Sequence, residues 1–262
     1  MHGKHTEVCS ELFGTIRRGH TPNATTNDRE ELAVPELATE VPDAQTAPEA
    51  IVDAIAEMVG RPDYPCLGAR AVFRRDRATV RVYDELDAAA TTPLLLRDLQ
   101  EFASTVDPDA GFASFIASFR GPRITDERHF ERLLWSQLGR LHAADGEPWS
   151  DEVSPDPEDE HFAFSVAGTP YFLVGLHPVA SRDARRAASP TLVFNLHAQF
   201  VALRASGHFP RMRDRIRDRD EQLQGTINPM LADHGEISEA RQYSGREVGP
   251  DWRAPFNAEK GA

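Results

Sequence analysis

The spacing of apolar residues along the chain predicts helices that alternate irregularly with short strands. Helical periodicity occurs from Ala47 to Met58, from Thr92 to Ser104 and from Thr125 to Leu141, where Thr125 is expected to be the cap. Apolar runs typical of strands are GFASFIASFRG, HFAFSVAG, TPYFLVGLH and PTLVFNLH, and AVFRRDRATVRVYD has the alternation of a hairpin. The stretch from Ala198 to Gln224 is again helical, with a break expected at Pro210.

This order of elements indicates one α+β domain with a largely antiparallel sheet and helices packed on one face. A doubly wound α/β fold is disfavoured, because no glycine-rich turn from strand to helix is present to bind a dinucleotide. Residues 1 to about 45 mix His, Thr, Pro, Asp and Glu without periodicity, which predicts a flexible leader. The folded domain is therefore expected to span residues 46–262.

The amino-acid composition limits which partners and which cellular compartment we expect for the chain. The 262 residues carry a formal charge of −13, and Lys4 and Lys260 are the only lysines. An acidic surface argues against nucleic acid as a partner, because phosphate contacts need a basic face. No apolar run is long enough to cross a membrane, and no secretory signal is evident, so we expect a cytoplasmic protein without membrane contact. Two cysteines, Cys9 and Cys66, do not form a disulfide framework.

The segment PCLGAR contains the only cysteine of the predicted domain. The Cys-x-Gly spacing of Cys66 and Gly68 occurs where a thiolate binds haem iron, since the glycine lets a porphyrin approach the backbone. A buried structural cysteine after a proline turn is the alternative interpretation.

Three histidines are candidate ligands or catalytic groups. His142 lies on the apolar stripe of the third predicted helix, so it faces inward as a core residue or as a ligand. His177 and His197 end the runs FLVGLH and TLVFNLH, and we expect them at matching ends of neighbouring strands. Two histidines with a carboxylate would suit non-haem iron, and three would suit zinc.

Charged residues near the C-terminus suggest binding sites for anions and for a substrate. Arg182, Arg185 and Arg186 can converge on one anion, although surface ion pairs would also satisfy them. The aperiodic stretch from Gln224 to Trp252 is rich in polar residues that could line a substrate pocket or merely brace the tail. The candidates in it are Glu236, Glu239, Arg241, Tyr243 and Arg246.

Several long motifs resemble the YqcI/YcgG family. They are PCLGAR, LHAADGEPW, FSVAGTPYFLVGLHPVASRDARR, TLVFNLHAQF and IRDRDEQLQGTINPMLADHGEISEARQYSG, and the resemblance runs from about Tyr64 to Phe256. Characterised members are haem-dependent N-hydroxylases of guanidine-bearing amino acids, including enzymes of D-cycloserine and guanitoxin biosynthesis. The resemblance therefore implies haem b, O2, an external electron donor and a guanidine or amine substrate.

The resemblance also implies roles for the candidate residues. Cys66 would be the axial ligand of the haem iron, with His142, His177 or His197 as the alternative ligand or as catalytic groups. The three arginines would hold the haem propionates. Glu236 or Glu239 would bind the guanidinium, and Arg241 or Arg246 the α-carboxylate of the substrate. Where the family tail often reads Cys-Pro-Phe, this chain has Ala254-Pro255-Phe256, which leaves Cys66 as the thiolate candidate.

Three other functions remain open from the sequence. The chain could be a haem-binding or gas-sensing protein without turnover, or a non-haem metal enzyme that uses His177 and His197. A third alternative is a structural or partner-binding domain in which every histidine is a packed core residue.

Overall fold

A mixed sheet forms the centre of the fold. The computed structural model describes residues 47–107, 110–230 and 237–258, which all belong to one compact unit, Thr39–Ala262. Within these residues the sheet has five strands in the order β1-β2-β5-β4-β3. The strands are β1 Ala78–Glu85, β2 Ser114–Gly121, β3 Phe164–Val166, β4 Thr169–Leu176 and β5 Thr191–Leu196. Only β1 and β2 pair in parallel, so the predicted α+β class and largely antiparallel sheet are confirmed.

Helices cover both faces of this sheet, which corrects the expectation that they pack on one face. They are α1 Pro48–Gly60, α2 Leu67–Arg74, α3 Thr91–Thr105, α4 Glu127–Ala144, α5 His197–Ala205, α6 Phe209–Gln224 and α7 Ala240–Tyr243. One face packs on α3, α4 and α7, and the other on α1 and α2. The central strand β2 explains this arrangement, because its residues from Ser114 to Phe119 are all buried and need cover on both sides.

The local predictions were wrong at three points. The predicted hairpin in AVFRRDRATVRVYD is instead the end of α2 followed by β1, and Asp76 makes the turn between them with a φ of 54°. The cap of α4 is Asp126 rather than Thr125, because its Oδ1 accepts the His129 N–H at 2.8 Å. The break before α6 lies at Gly207, since Pro210 fits the first helical turn, where its missing N–H costs nothing.

A glycine in β4 allows α4 and α7 to approach the sheet closely. A Cβ built on Gly175 would lie 2.6 Å from Cε1 of Phe130 and 2.7 Å from the carbonyl oxygen of Tyr243. Real Cβ atoms do not come so close to other atoms, so only glycine fits this position. The contact fixes the height of α7 above the sheet, and α7 carries candidate site residues.

The leader expected at residues 1 to about 45 lies outside the described residues. Among the helices in the described ranges, none is long and apolar enough to cross a membrane.

Candidate functional site

A cavity of about 340 Å³ lies between the sheet and helices α1, α2, α5 and α6. Alternate residues of three strands form its floor, because side chains two positions apart point to the same face of a sheet. These floor residues are Ser114 and Ile116 of β2, Phe172, Val174 and Leu176 of β4, and Val193 and Asn195 of β5. Most of the remaining lining is apolar, and the size is in the range of sites for small molecules and cofactors.

Five of the candidate residues line this cavity, although they come from distant parts of the chain. They are Cys66, Gly68, Arg185, His197 and Glu239. The structure therefore brings together a sulfur, an imidazole, a guanidinium and a carboxyl in one largely apolar space. Glu236 lies outside the described residues.

Cys66 lies at the N-terminus of α2, on the wall of the cavity. Its Sγ accepts the backbone N–H of Ala69 at 3.4 Å and so caps the helix. Burial raises the pKa of the Cys66 thiol, whereas the N–H groups of Ala69 and Gly68 and the charge of Arg185 act in the opposite direction. A bound metal ion would favour the thiolate, because a metal-coordinating thiol is deprotonated.

Gly68 leaves room between α2 and α6. A Cβ at this position would be 3.3 Å from Cε of Met212 and 3.9 Å from Sγ of Cys66. A larger residue would therefore push on α6 beside the sulfur, which supports the expectation that glycine keeps this wall of the cavity open.

Arg185 is enclosed in the wall without a carboxylate partner. Its Nη1 donates to the carbonyl oxygen of Gly175 at 3.1 Å, and its Nη2 to that of Gln242 at 3.2 Å. Among the described residues, no carboxylate lies within 4.0 Å of its guanidinium. Burial lowers the pKa of Arg185 from its usual value. A buried charge held only by neutral oxygens would be stabilised by an anionic group in the cavity.

Glu239 is the carboxyl of the cavity. The Tyr243 hydroxyl donates a hydrogen bond to its Oε1 at 2.6 Å. Burial raises the pKa of Glu239 to about 8, although the hydrogen bond from Tyr243 and the charge of Arg204 oppose this shift. The group is therefore largely protonated near neutral pH, and a cation entering the cavity would favour its ionised form.

The three arginines of the SRDARR segment do not converge, so this prediction was wrong. Arg182 is buried and donates from Nη2 to Oδ2 of Asp220 at 2.5 Å and to the carbonyl oxygen of Thr226 at 2.7 Å. Arg186 is exposed and pairs with Asp183 at 2.9 Å. These residues flank a 3₁₀ turn, Asp183–Arg185, which directs successive side chains apart, and only Arg185 lines the cavity.

His177 and His197 also do not meet, which corrects the expectation that they share one end of the sheet. β4 and β5 are neighbours but run antiparallel, with Leu176 opposite Thr191 and Tyr171 opposite Leu196. The two histidines are therefore at opposite ends of the pair, roughly 20 Å apart at about 3.4 Å per residue. In the described ranges, His, Cys, Asp and Glu form no group of three that could hold a metal ion.

His177 is a buried core residue on the α4 face. Its ring centroid is 4.4 Å from that of Phe130, and its Nδ1 has no hydrogen-bond partner in the part of the chain that the structure describes. Burial lowers the pKa of His177 to about 4. It is therefore a neutral packed residue and is not directed into the cavity.

His142, Arg241 and Arg246 brace the C-terminal tail and α4. Nε2 of His142 lies 2.8 Å from the carbonyl oxygen of Ala258. Arg241 donates to the carbonyl oxygens of Trp252 and Gly249. Arg246 forms a two-pronged ion pair with Oε2 of Glu131, at 3.1 Å from Nε and 2.6 Å from Nη2. The expectation that either arginine faces the same pocket as Glu239 was wrong, and bracing of the tail, the alternative interpretation, holds for Arg241.

The sequence pattern did not reveal the α6 wall of the cavity. Charged residues dominate the segment FPRMRDRIRDRD, which hides its apolar face. Its three apolar residues, Phe209, Met212 and Ile216, nevertheless line the cavity, and their i, i+3, i+7 spacing was the available signal. Arg204 of α5, which faces Glu239, was also missed, since no single-sequence pattern distinguishes it from a surface arginine.

All residues that line the cavity lie inside the region matched by one family model. The model of the YqcI/YcgG family matches residues 55–257, more than three quarters of the chain. The chain belongs to the YqcI/YcgG family. The family match includes every residue that lines the cavity, from Ile55 to Gln242.

Two family members from Bacillus subtilis (strain 168) are similar to the chain. The protein YcgG is 28% identical over 191 residues, which cover 69% of this chain and 75% of YcgG. The protein YqcI is 26% identical over 189 residues, which cover 69% of this chain and 74% of YqcI. No solved structure matches the chain.

Proposed function

We propose that this chain is a haem-dependent monooxygenase that hydroxylates a nitrogen of a guanidine-bearing amino acid, using O2 and an external electron donor. The observation that supports this function is the cavity itself, where Cys66, His197, Arg185 and Glu239 converge. The residues offer a donor for iron, a cation for an acidic group and a carboxyl for a guanidinium. The proposal takes its reaction type from the resemblance to the characterised family members.

The cavity residues fit a haem group. Its walls are mostly apolar, Gly68 leaves open the space beside the Cys66 sulfur, and Arg185 is a half-buried cation that has no carboxylate partner among the residues the structure describes. Cys66 would hold the iron, with His197 as the alternative ligand, and Arg185 would hold a propionate. When bound, haem with a thiolate ligand would supply O2 activation, because electron donation from sulfur favours cleavage of the O–O bond.

Glu239 would hold the substrate. A guanidinium presents two parallel N–H groups that match the two oxygens of a carboxylate, and the pair gains strength where water is excluded. Burial raises the pKa of Glu239, so its ionised form would be stabilised by a cationic partner in the cavity. A guanidinium would provide that partner and would be held against the apolar floor. Arg204, whose charge acts on Glu239 in the free protein, would either be displaced by the guanidinium or bind the α-carboxylate of the substrate.

The ligand assignment is tested by absorption spectroscopy of the haem-reconstituted protein, with and without CO in the ferrous state. We expect Cys66→Ser to lose the thiolate signature or the haem itself, since a serine hydroxyl is a poor iron ligand. Serine is a good helix cap, so the variant keeps the N-terminus of α2. Cys9→Ser is the matched control and should leave the spectrum unchanged. An unchanged spectrum in Cys66→Ser would refute thiolate ligation, and His197→Ala would then test the alternative ligand.

Turnover is tested by mass spectrometry of arginine incubated with the haem protein, O2 and a reductant. We expect a product heavier by one oxygen atom, formed in step with O2 consumption. Haem retention without product from any guanidine compound would instead support the alternative of a non-catalytic haem-binding or sensing protein. The non-haem metal alternative requires His177 and His197 in one site, and their separation does not support it.

A further inference from the structure

Three aromatic residues form a continuous series from a position beside the cavity-lining residues Glu239 and Phe172 to the protein surface. The ring of Tyr243 stacks on that of Trp135, with centroids 5.6 Å apart and an interplanar angle of 24°. The ring centroid of Trp135 in turn lies 6.2 Å from that of Trp252. We refer to Tyr243, Trp135 and Trp252 as the aromatic series. Tyrosine and tryptophan are the side chains that give up one electron most readily among the aromatic residues, and rings in contact exchange electrons quickly.

The inner end of the aromatic series abuts the cavity. Glu239, which lines the cavity, accepts the hydrogen bond of the Tyr243 hydroxyl at 2.6 Å. Phe172, a floor residue, lies 6.1 Å from Tyr243 between ring centroids. Tyr243 itself is completely buried. A phenol that loses an electron becomes strongly acidic, so a neighbouring carboxylate that accepts its proton makes the oxidation much easier.

The middle and the outer end have different environments. Trp135 is only 1% exposed, and among the described residues its Nε1 has no hydrogen-bond partner that could take the proton of an oxidised Trp135. An oxidised Trp135 would therefore take an electron from a neighbouring aromatic ring and would not persist as a radical. Trp252 is half-buried in the tail, and the Arg241 guanidinium lies 5.6 Å over its ring. Trp252 is accessible enough for exchange with a reductant in solution.

We propose that the aromatic series is a one-electron route between the cavity and the surface. An oxygen-derived oxidant in the cavity takes one electron from Tyr243, and the Tyr243 proton moves to Oε1 of Glu239. Trp135 then reduces the Tyr243 radical, the proton returns from Glu239, and Trp252 reduces Trp135. A soluble one-electron reductant such as ascorbate finally reduces Trp252. The net step is one electron transferred from that reductant to the oxidant.

The use of the route during turnover rests on the redox function proposed above, where it would discharge an oxidant that fails to meet its substrate. The route itself is a property of the chain and can be tested without a cofactor. Packing alone does not account for its inner end. The Tyr243 hydroxyl also accepts the backbone N–H of Phe164 at 3.1 Å, but an apolar residue at position 239 would avoid the cost of a buried carboxyl.

A matched internal control exists on the same face of the sheet. Tyr83 also donates its hydroxyl to a buried carboxyl, Asp98, at 2.8 Å. Its aromatic neighbour is Phe119 at 5.7 Å, and no tryptophan contact is formed by Tyr83 within the described residues. Tyr83 therefore has the proton acceptor of Tyr243 but lacks the connection to tryptophan.

The test is pulse radiolysis of the haem-free protein with azide radicals, which oxidise tryptophan selectively. This experiment runs the route in reverse, with an electron passing from Tyr243 to an oxidised tryptophan. We therefore expect the indolyl radical to decay and a phenoxyl radical to rise at a matching rate independent of protein concentration. Tyr243→Phe should abolish this fast phase, and Trp135→Phe should slow it at least tenfold. Tyr83→Phe should leave it unchanged. An equal rate and yield in Tyr243→Phe, or loss of the phase in Tyr83→Phe, would overturn the proposal.

Glu239→Gln gives a second test that preserves the ring packing. It should slow the transfer at a pH above the pKa of Glu239 and have little effect below it, where the carboxyl is already protonated; Tyr243 and Arg204 are the titratable groups that face it. No dependence on residue 239 at either pH would contradict the role of the carboxyl. These outcomes do not depend on haem, so failure here leaves the proposed N-hydroxylation standing, and failure of haem binding leaves this route testable.

Discussion

Three arginines within five residues occupy three different electrostatic environments. Arg182 is neutralised by buried Asp220, and Arg186 pairs with Asp183 at the surface. Within the described part of the chain, Arg185 donates only to carbonyl oxygens. The energetic consequences of removing each charge therefore differ. Loss of Arg182 would strand a buried carboxylate, whereas loss of Arg186 would break a solvated pair worth little.

We expect Arg185→Ala to weaken the binding of haem by about tenfold or more, because a charge-assisted contact in a buried site is lost. Arg186→Ala is the control from the same turn and should leave affinity within error of the parent protein. Haem titration followed by absorbance measures both. Equal affinities for the two variants would assign Arg185 a purely structural role towards Gly175 and Gln242.

His177 should make the fold sensitive to acid. Its pKa falls from 6.5 to about 4 because burial disfavours the charged ring, while the carboxylates of Glu127 and Asp126 partly offset the effect and Arg185 adds to it. His177 therefore binds a proton below about pH 6.5 in the unfolded chain, but only near pH 4 in the folded chain. The contribution of neutral His177 to the free energy of unfolding should be fully present above pH 6.5. The free energy of unfolding should fall by up to about 3 kcal/mol as the pH drops towards 4.

Urea unfolding across this pH range measures the effect. His177→Leu should remove most of the pH dependence between these two values, since leucine does not titrate and still packs on Phe130. The exposed His161 is the control, and His161→Gln should keep the pH dependence of the parent. A profile for His177→Leu that follows the parent would assign the acid sensitivity to other groups.

At the scale of elements, the contact between β4 and helices α4 and α7 depends on one missing methyl group. We expect Gly175→Ala to destabilise the fold by about 1–3 kcal/mol, because the new Cβ would overlap the Phe130 ring and the Tyr243 carbonyl oxygen. The displacement of α7 should also disturb Glu239. Gly139 in α4 has no atom within 4 Å of its position for a Cβ, so Gly139→Ala should stabilise by up to about 1 kcal/mol. Thermal unfolding measures the change in stability for Gly175→Ala and Gly139→Ala. Equal changes in the two variants would contradict the packing argument.

Periodicity predicted the elements that are long or buried on one stripe, and it failed where an element is short or its environment is set by distant residues. α4, β4 and β5 were recognised because their apolar spacing extends over many residues. α2 has only eight residues, and its apolar run fits a strand equally well. The direction of β5 relative to β4 is not encoded locally, so the separation of His177 and His197 could not be predicted. Cys66, Gly68, Arg185, His197 and Glu239 were all candidates from the sequence, but their convergence on one cavity depends on tertiary structure.

The charge of the whole molecule contrasts with the charges in its cavity. A formal charge of −13 creates a negative potential around the protein that attracts cations and repels anions. Arg185 and Arg204 line the cavity, yet Glu239 is a carboxyl there whose ionisation is opposed by burial, as is that of the Cys66 thiol. The surface field and Glu239 therefore both favour a cationic ligand, while the arginines suit anionic groups that arrive attached to it.

A guanidinium ligand should release a proton when it binds. Glu239 has a pKa of about 8 in the free protein, so below that pH it must lose its proton before it can pair with the cation. We expect arginine affinity to rise about tenfold per pH unit below 8 and to level off above it, because one ionisation is linked to binding.

Calorimetry in buffers of different ionisation enthalpy counts the released protons, and close to one per bound arginine is expected at pH values well below 8. Glu239→Gln should weaken binding and abolish the release, because glutamine cannot ionise. Glu221→Gln removes an exposed carboxylate from α6 and should change neither quantity. Arg204 also faces Glu239, so Arg204→Ala should raise the pKa of Glu239 further and move the plateau to higher pH. Binding of arginine without proton release in the parent protein would place the guanidinium away from Glu239, and the pairing proposed here would then be wrong.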